Sequence, residues 1–303
     1  MQGQVKKAIS AMIALASAAA ITLSSAGTAT AASSTTTTRP AAAKTTATVP
    51  SLRAFGISGD GKLMATFLTD DPGELNWVRR ISGLVGDTAA IGIDFRVQDG
   101  KFYTVGNRGG IYTITLPTGS SDVIVTKVSQ LSVGLRGTYF GVDFNPAADR
   151  LRVVSDTGQN LRHNLATNTT ESDPALNTGP CAPAVTGITA AAYTNNDLSG
   201  ATGTTLFDIN TSTDEVVLQS PANLGLLATV GALGVAADAN AGLDIYSDLS
   251  GGKTVSNAAF ATLVVPNGDA TLNSVDVLTG AATPIGDPFP IAITDIALAL
   301  DTN

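Results

Sequence analysis

Histidine, cysteine and tryptophan each occur once in this chain, and charged residues make up only 14% of it. The single histidine, His163, excludes a multi-histidine metal site, and a Ser-His-Asp triad would rest wholly on it. No Gly-x-Ser-x-Gly sequence occurs, so the nucleophile elbow of α/β-hydrolases is missing. The one cysteine, Cys181, sits between Pro180 and Pro183 in a loop-like stretch. Without a second thiol the chain forms no internal disulfide, and stability must come from packing and strand pairing. Tryptophan is confined to Trp77 and aromatics to 5% of residues, a thin supply for the ring platforms that hold sugars in lectins.

Basic residues are scarce as well. The chain has 17 basic and 25 acidic residues; Lys6, Lys7, Arg39 and Lys44 precede residue 51 and no acid does, leaving 13 against 25, or −12, beyond it. Such a surface repels phosphate backbones and anionic membranes, which argues against a nucleic-acid partner. Glycine, serine, threonine and asparagine supply most of the polar surface instead.

The only long apolar run is at the start. Lys6 and Lys7 form a positive n-region, residues 8–23 are mostly apolar, and Ala29-Thr30-Ala31 offers a small-x-small cleavage pattern. This predicts a signal peptide over residues 1–31, with no membrane insertion after cleavage and a secreted or envelope destination. The run is short for a membrane span, and Ser10, Ser17 and Thr22 interrupt it. Residues 32–50 are Ala, Thr and Ser with Arg39, Pro40, Lys44 and Pro50. No apolar periodicity is present to offset ordering entropy, so a disordered linker is expected there. A folded domain is expected over residues 51–303.

That domain repeats itself. IGIDFRVQDGKFYTVGNRG (91–109) and FGVDFNPAADRLRVVSDTG (140–158) align without a gap at an offset of 49. Gly92, Asp94, Phe95 and Gly109 fall on Gly141, Asp143, Phe144 and Gly158. Each unit reads as short apolar strands separated by turns rich in Asp, Pro or Gly. Weaker copies occur at 55–67, read as an opening and second strand, and at 205–219 and 271–286, each read as a third and fourth strand. Opening strands near 55, 91, 140, 188 and 233 predict about five units, with six compatible with the long stretch from 233 to 290. A repeat of 40–50 residues with four strands indicates an all-β, propeller-like fold. The apolar IAITDIALAL (291–300) is expected to close the ring by pairing into the first unit.

The strings GVDFNPAADRLRVVSDTGQNLRHN (141–164), ITAAAYTNN (188–196) and TTLFDINTSTDEVVLQSPANLG (204–225) resemble an uncharacterised family of secreted bacterial proteins, catalogued as a domain of unknown function. The resemblance implies a propeller-like fold and an extracellular or envelope location. It carries no established activity, so it assigns no catalytic residue.

Chemistry must then be sought in the residues themselves. Asp94 and Asp143 occupy equivalent strand positions; each either locks a turn by accepting hydrogen bonds or, if several units contribute, helps to hold an axial Ca²⁺. Only these two of about five units show it. Arg150, Arg152 and Arg162 cluster in one unit and are read either as inter-blade ion pairs or as a grip for an anionic group. His163 is expected at a surface strand edge. The acidic groups Asp70, Asp71 and Glu74, and Asp214 with Glu215, lie in turn-like segments, where carboxylates are ordinarily solvated. Ligand-binding candidates are Arg152, Asn160, Arg162, His163, Asn195 and Asn196; no catalytic residue is assigned, and calcium is compatible with the chain without being required. The leading expectation is a secreted, non-catalytic binding or scaffold propeller for an extracellular protein, glycan or small molecule. The alternatives are a calcium-dependent propeller hydrolase or lactonase and a structural envelope or matrix protein.

Overall fold

The computed structural model describes residues 49–302 apart from residue 267; the expected leader and all but the end of the linker, residues 1–48, lie outside the described residues. The described chain is all-β. In order the strands are β1 (Arg53–Ser58), β2 (Leu63–Leu68), β3 (Trp77–Ser82), β4 (Ala90–Arg96), β5 (Lys101–Gly106), β6 (Gly110–Thr115) and β7 (Val123–Gln130). Then come β8 (Phe140–Asn145), β9 (Arg150–Ser155), β10 (Asn160–Asn164), β11 (Thr169–Ser172), β12 (Ile188–Tyr193), β13 (Leu206–Asn210), β14 (Glu215–Gln219) and β15 (Leu227–Ala232). The last five are β16 (Ala241–Ser250), β17 (Lys253–Val264), β18 (Ala270–Val275), β19 (Ala282–Ile285) and β20 (Ile293–Leu298).

The repeat has a conformational cause. Gly100 closes the β4–β5 turn at φ 63°, and Asp149, its counterpart, closes β8–β9 at φ 51°. Gly and Asp are among the residues that tolerate the left-handed region. Gly109 and Gly158 also correspond, at φ 82° and 83°. The turns of the two units thus share one geometry.

Strands β8–β11, β12–β15 and β16–β19 form three four-stranded sheets. An eight-stranded sheet runs β20-β1-β2-β3-β7-β6-β5-β4, its halves joined by a two-residue parallel pairing of β3 with β7. The expected closing strand is therefore present: β20 pairs antiparallel with β1, Ala54 opposite Leu298 and Gly56 opposite Ile296. Strands β4, β8, β12, β16 and β20 pack side by side in that order, and β20 packs back on β4, so the circuit of inner strands closes. Apolar clusters fill the spaces between successive groups, such as Tyr103, Phe144 and Leu161 between β4–β7 and β8–β11, and Ala54, Phe260 and Leu298 where β16–β19 meets β20 and β1.

Three details of the expected strand order are corrected. Residues 233–240 form no strand, and the opening strand is β16, eight residues further on; Leu233 is buried, but the polar Asp238 and Asn240 precede the real start. The 55–67 hairpin supplies the second and third strands of its group, because the C-terminal β20 takes the inner position. The 205–219 hairpin likewise forms the second and third strands, β13 and β14, since the loop after β12 leads straight into β13.

Candidate functional site

The inner strands carry a recurring device. A Cβ on Gly92 would stand 2.4 Å from Val142 Cγ2, one on Gly141 2.5 Å from Ala191 N, and one on Gly242 2.5 Å from Asp295 Cα. Glycine at these positions lets the next inner strand approach. Two residues later an aspartate binds that neighbour's backbone: Asp94 Oδ2 accepts Phe144 N–H at 2.7 Å, Asp143 accepts Tyr193 N–H, and Asp244 Oδ2 accepts Leu298 N–H. Asp295 Oδ2 completes the return by accepting Ile93 N–H at 2.9 Å. Four inner strands, rather than two, hold such a carboxylate; the Gly242-Leu243-Asp244 string was a visible signal for one of the two that were missed.

The junction lacking a carboxylate lies between β12, which has Ala192 at the equivalent place, and β16. Two of the predicted ligand candidates fasten it. Asn196 donates through its backbone N–H to Ser247 Oγ (2.8 Å) and through Nδ2 to Ile245 O (3.2 Å). Asn195 and Asn257 exchange two hydrogen bonds, of 3.1 and 2.8 Å.

All four aspartates are buried. Burial drives Asp94, Asp143 and Asp295 well above the ordinary carboxylate range, with neighbouring carboxylates adding to it, and pushes Asp244 up to about 7. Oxygens of Asp94, Asp143 and Asp244 lie within 4.8 Å of one another. Calcium–oxygen bonds of about 2.3–2.6 Å would let one ion bridge that spacing. However, both oxygens of Asp94 and both of Asp244 already accept backbone N–H groups, one of each from the neighbouring inner strand, so two of the three are engaged in fastening strands.

Three further candidates meet between β8–β11 and β12–β15, or at its rim. The buried Arg152 donates to Asn160 Oδ1 and Asp173 Oδ2 at 2.8 Å, to Asn223 Oδ1 at 2.7 Å and to Tyr193 Oη at 3.2 Å. Arg162 pairs with Asp173 at 2.9 Å and with Glu171. Asp208 is fully buried on the facing sheet; neither carboxylate oxygen has a hydrogen-bond partner, and burial raises its pKa well above the ordinary value while the Arg152 charge opposes the rise. His163 is not at the surface, as expected from sequence, but wholly buried. Its Nε2 meets Ser129 Oγ at 2.8 Å and its Nδ1 meets Thr170 Oγ1 at 2.9 Å, and burial lowers its pKa. A lone histidine gives sequence reasoning no pattern from which to read burial.

The axis also opens outward. A recess of about 260 Å³ is lined by Ser58, Ala90, Ile91, Thr138, Tyr139, Phe140, Asn240, Thr294 and Asp295. Ala90, Phe140 and Thr294 stand at or beside the first residues of β4, β8 and β20, and Asn240 immediately precedes β16, which puts the recess on the axis at one end of the inner strands. Among the described residues, the side chains of Thr138, Tyr139, Asn240 and Thr294 make no hydrogen bond inside the protein. Sequence reasoning missed this site because its parts come from four separate groups of strands.

Residues 63–297 match the profile of the family described as domain of unknown function (DUF4394). The chain belongs to that family. Nothing in the family's description assigns an activity to the inner carboxylates or the recess. No curated protein sequence matches the chain. Among solved structures, a glutaminyl cyclase from Myxococcus xanthus is similar at 13% identity and TM-score 0.43, over 75% of this chain and 97% of that one. The WD40 domain of coronin from Toxoplasma gondii is similar at 14% identity and TM-score 0.38, over 76% of this chain and 55% of that one. A protein of unknown function from Bacteroides thetaiotaomicron is similar at 14% identity and TM-score 0.43, over 82% and 67%. Similarity this low carries no argument about activity; the propeller-like architecture rests on the chain's own strand order.

Proposed function

We propose that this chain is an exported, non-catalytic, closed five-bladed propeller that binds a small ligand in the axial recess bordered by Tyr139, Asn240 and Thr294. The carrying observation is the convergence of uncommitted polar side chains from three groups of strands, at the starts of β8, β16 and β20, on one concave site. Concave sites with a few convergent polar groups are where small ligands bind, whereas the buried acids deeper on the axis are engaged in holding strands together. Export rests on Lys6, Lys7 and the Ala29-Thr30-Ala31 pattern, with a mature chain of linker 32–50 and domain 51–303. The test is an amide NMR titration of the domain with a chemically mixed fragment panel. Shifts converging on Tyr139, Asn240 and Thr294 support the reading; convergence on another surface, or none, contradicts it.

A second reading, a calcium-dependent hydrolase or lactonase, is favoured by the spacing of Asp94, Asp143 and Asp244. Its test is lactone and ester turnover that calcium raises and a chelator abolishes. Such turnover would displace the binding reading.

A further inference from the structure

Resting on the axial-recess reading above, we propose that the ligand is a neutral, hydroxyl-rich molecule of monosaccharide size. The recess, at about 260 Å³, has the liquid volume of roughly nine water molecules. That is below the range of about 300–1,000 Å³ typical of drug-sized sites. Its free groups are all neutral and all both donate and accept hydrogen bonds. The hydroxyls of Thr138, Thr294 and Tyr139 each donate and accept, and the Asn240 amide offers both functions at separate atoms. A ligand whose own groups donate and accept at every position satisfies such a wall, and hydroxyls do so.

Charge selects in the same direction. No lysine or arginine lines the recess, and its one charged-type lining residue is Asp295, so an anion finds no counter-charge. A cation fares no better. The Asp295 carboxyl is buried, its Oδ2 is taken by Ile93 N–H, and burial favours its neutral form. The half-buried Tyr139 is among the lining residues, and an aromatic side chain there suits the apolar face of a sugar-like ring.

Gly59 gives the site an experimental handle. A Cβ there would stand 3.3 Å from Thr294 Cγ2 and 4.0 Å from Asn240 Nδ2, and its φ lies outside the left-handed region. The backbone conformation at Gly59 therefore accepts an L side chain, and that side chain crowds Thr294 and Asn240 at the recess.

The test is amide NMR with titration calorimetry on the domain, using D-glucose, D-galactose, N-acetyl-D-glucosamine and myo-inositol, with sodium acetate, ethanolamine and calcium chloride as counter-probes. Saturable binding of at least one of the four polyols is expected, with shifts at Tyr139, Asn240 and Thr294. Gly59→Leu and Asn240→Ala should each weaken it about tenfold or more. Should Gly59→Leu fail to fold, Asn240→Ala and Tyr139→Phe provide the same readout. Saturation at these residues by ethanolamine, acetate or calcium, and by none of the polyols, would overturn the ligand class while leaving the recess reading standing. Perturbation of these residues by no probe would overturn both, and polyol binding indifferent to all three variants would overturn the site.

Discussion

Deleting residues 291–303 should cost far more than the loss of a terminal strand ordinarily does. Strand β20 contributes Ile293, Ile296 and Leu298, which are 0%, 1% and 3% exposed. At about 1.5–3 kcal/mol for each fully buried aliphatic side chain, their burial amounts to roughly 5–9 kcal/mol. An extended reference chain makes that an upper bound. The deletion also strips β1 of its antiparallel partner, leaves Ile93 N–H without the Asp295 carboxyl, and uncovers the core around Phe260, Leu272 and Phe289. The total stability of a domain is about 5–15 kcal/mol, so the truncated chain should aggregate or be degraded. A circular permutant separates loss of the strand from loss of mere chain length. Leu298 lies opposite Ala54, so the end of β20 adjoins the start of β1 and a short turn can join them. The permutant, with β20 moved ahead of β1, should recover a monomer with a near-native melting temperature by size exclusion and calorimetry. A soluble, monomeric deletion variant with an unchanged melting temperature would refute the closed ring, as would a permutant that fails to fold.

Stability should fall as pH rises from about 4 towards neutrality. The inner aspartates have folded-state pKa values raised above the unfolded value near 3.9, with Asp244 at about 7, so each favours folding fully below the unfolded value and loses that contribution as pH rises through the folded one. The slope is about 1.4 kcal/mol per pH unit for each group still protonated; a melting temperature flat or rising from pH 4 to 7 would contradict it. Arg152→Ala should destabilise by about 3–5 kcal/mol by leaving buried partners uncompensated, read as a denaturant midpoint shift, and a shift below 1 kcal/mol would refute the role given to Arg152. Cys181 is exposed and has no disulfide partner, so reductant should leave the melting temperature of the monomer unchanged.

What the sequence made legible follows from what is local in it. The 49-residue repeat was readable because Gly100 and Asp149, and Gly109 and Gly158, impose one turn geometry at fixed spacing. The closing strand was readable as an apolar run with one charge, Asp295. The position of a hairpin within its sheet was not readable, since 55–67 and 205–219 look alike whether a strand precedes them in sequence or arrives from the C-terminus. Asp244 escaped notice because its group departs from the repeat, with strands of ten and twelve residues at β16 and β17. Arg152 reaches Asp173 across 21 residues and Asn223 across 71, distances at which sequence proximity to Asp149 and Asp156 misleads. Asp149 pairs with Arg96 instead, at 2.7 Å.

The binding reading meets its most direct test in crystals of the domain soaked with whichever of D-glucose, D-galactose, N-acetyl-D-glucosamine and myo-inositol binds tightest in solution. Ordered ligand density is predicted in the axial recess, with hydroxyl groups within hydrogen-bond distance of Asn240 and Thr294 and the ring of the ligand beside Tyr139. Density elsewhere on the surface, such as in a second groove lined by Asn76, Trp77 and Leu116, with the axial recess holding only water, would contradict it.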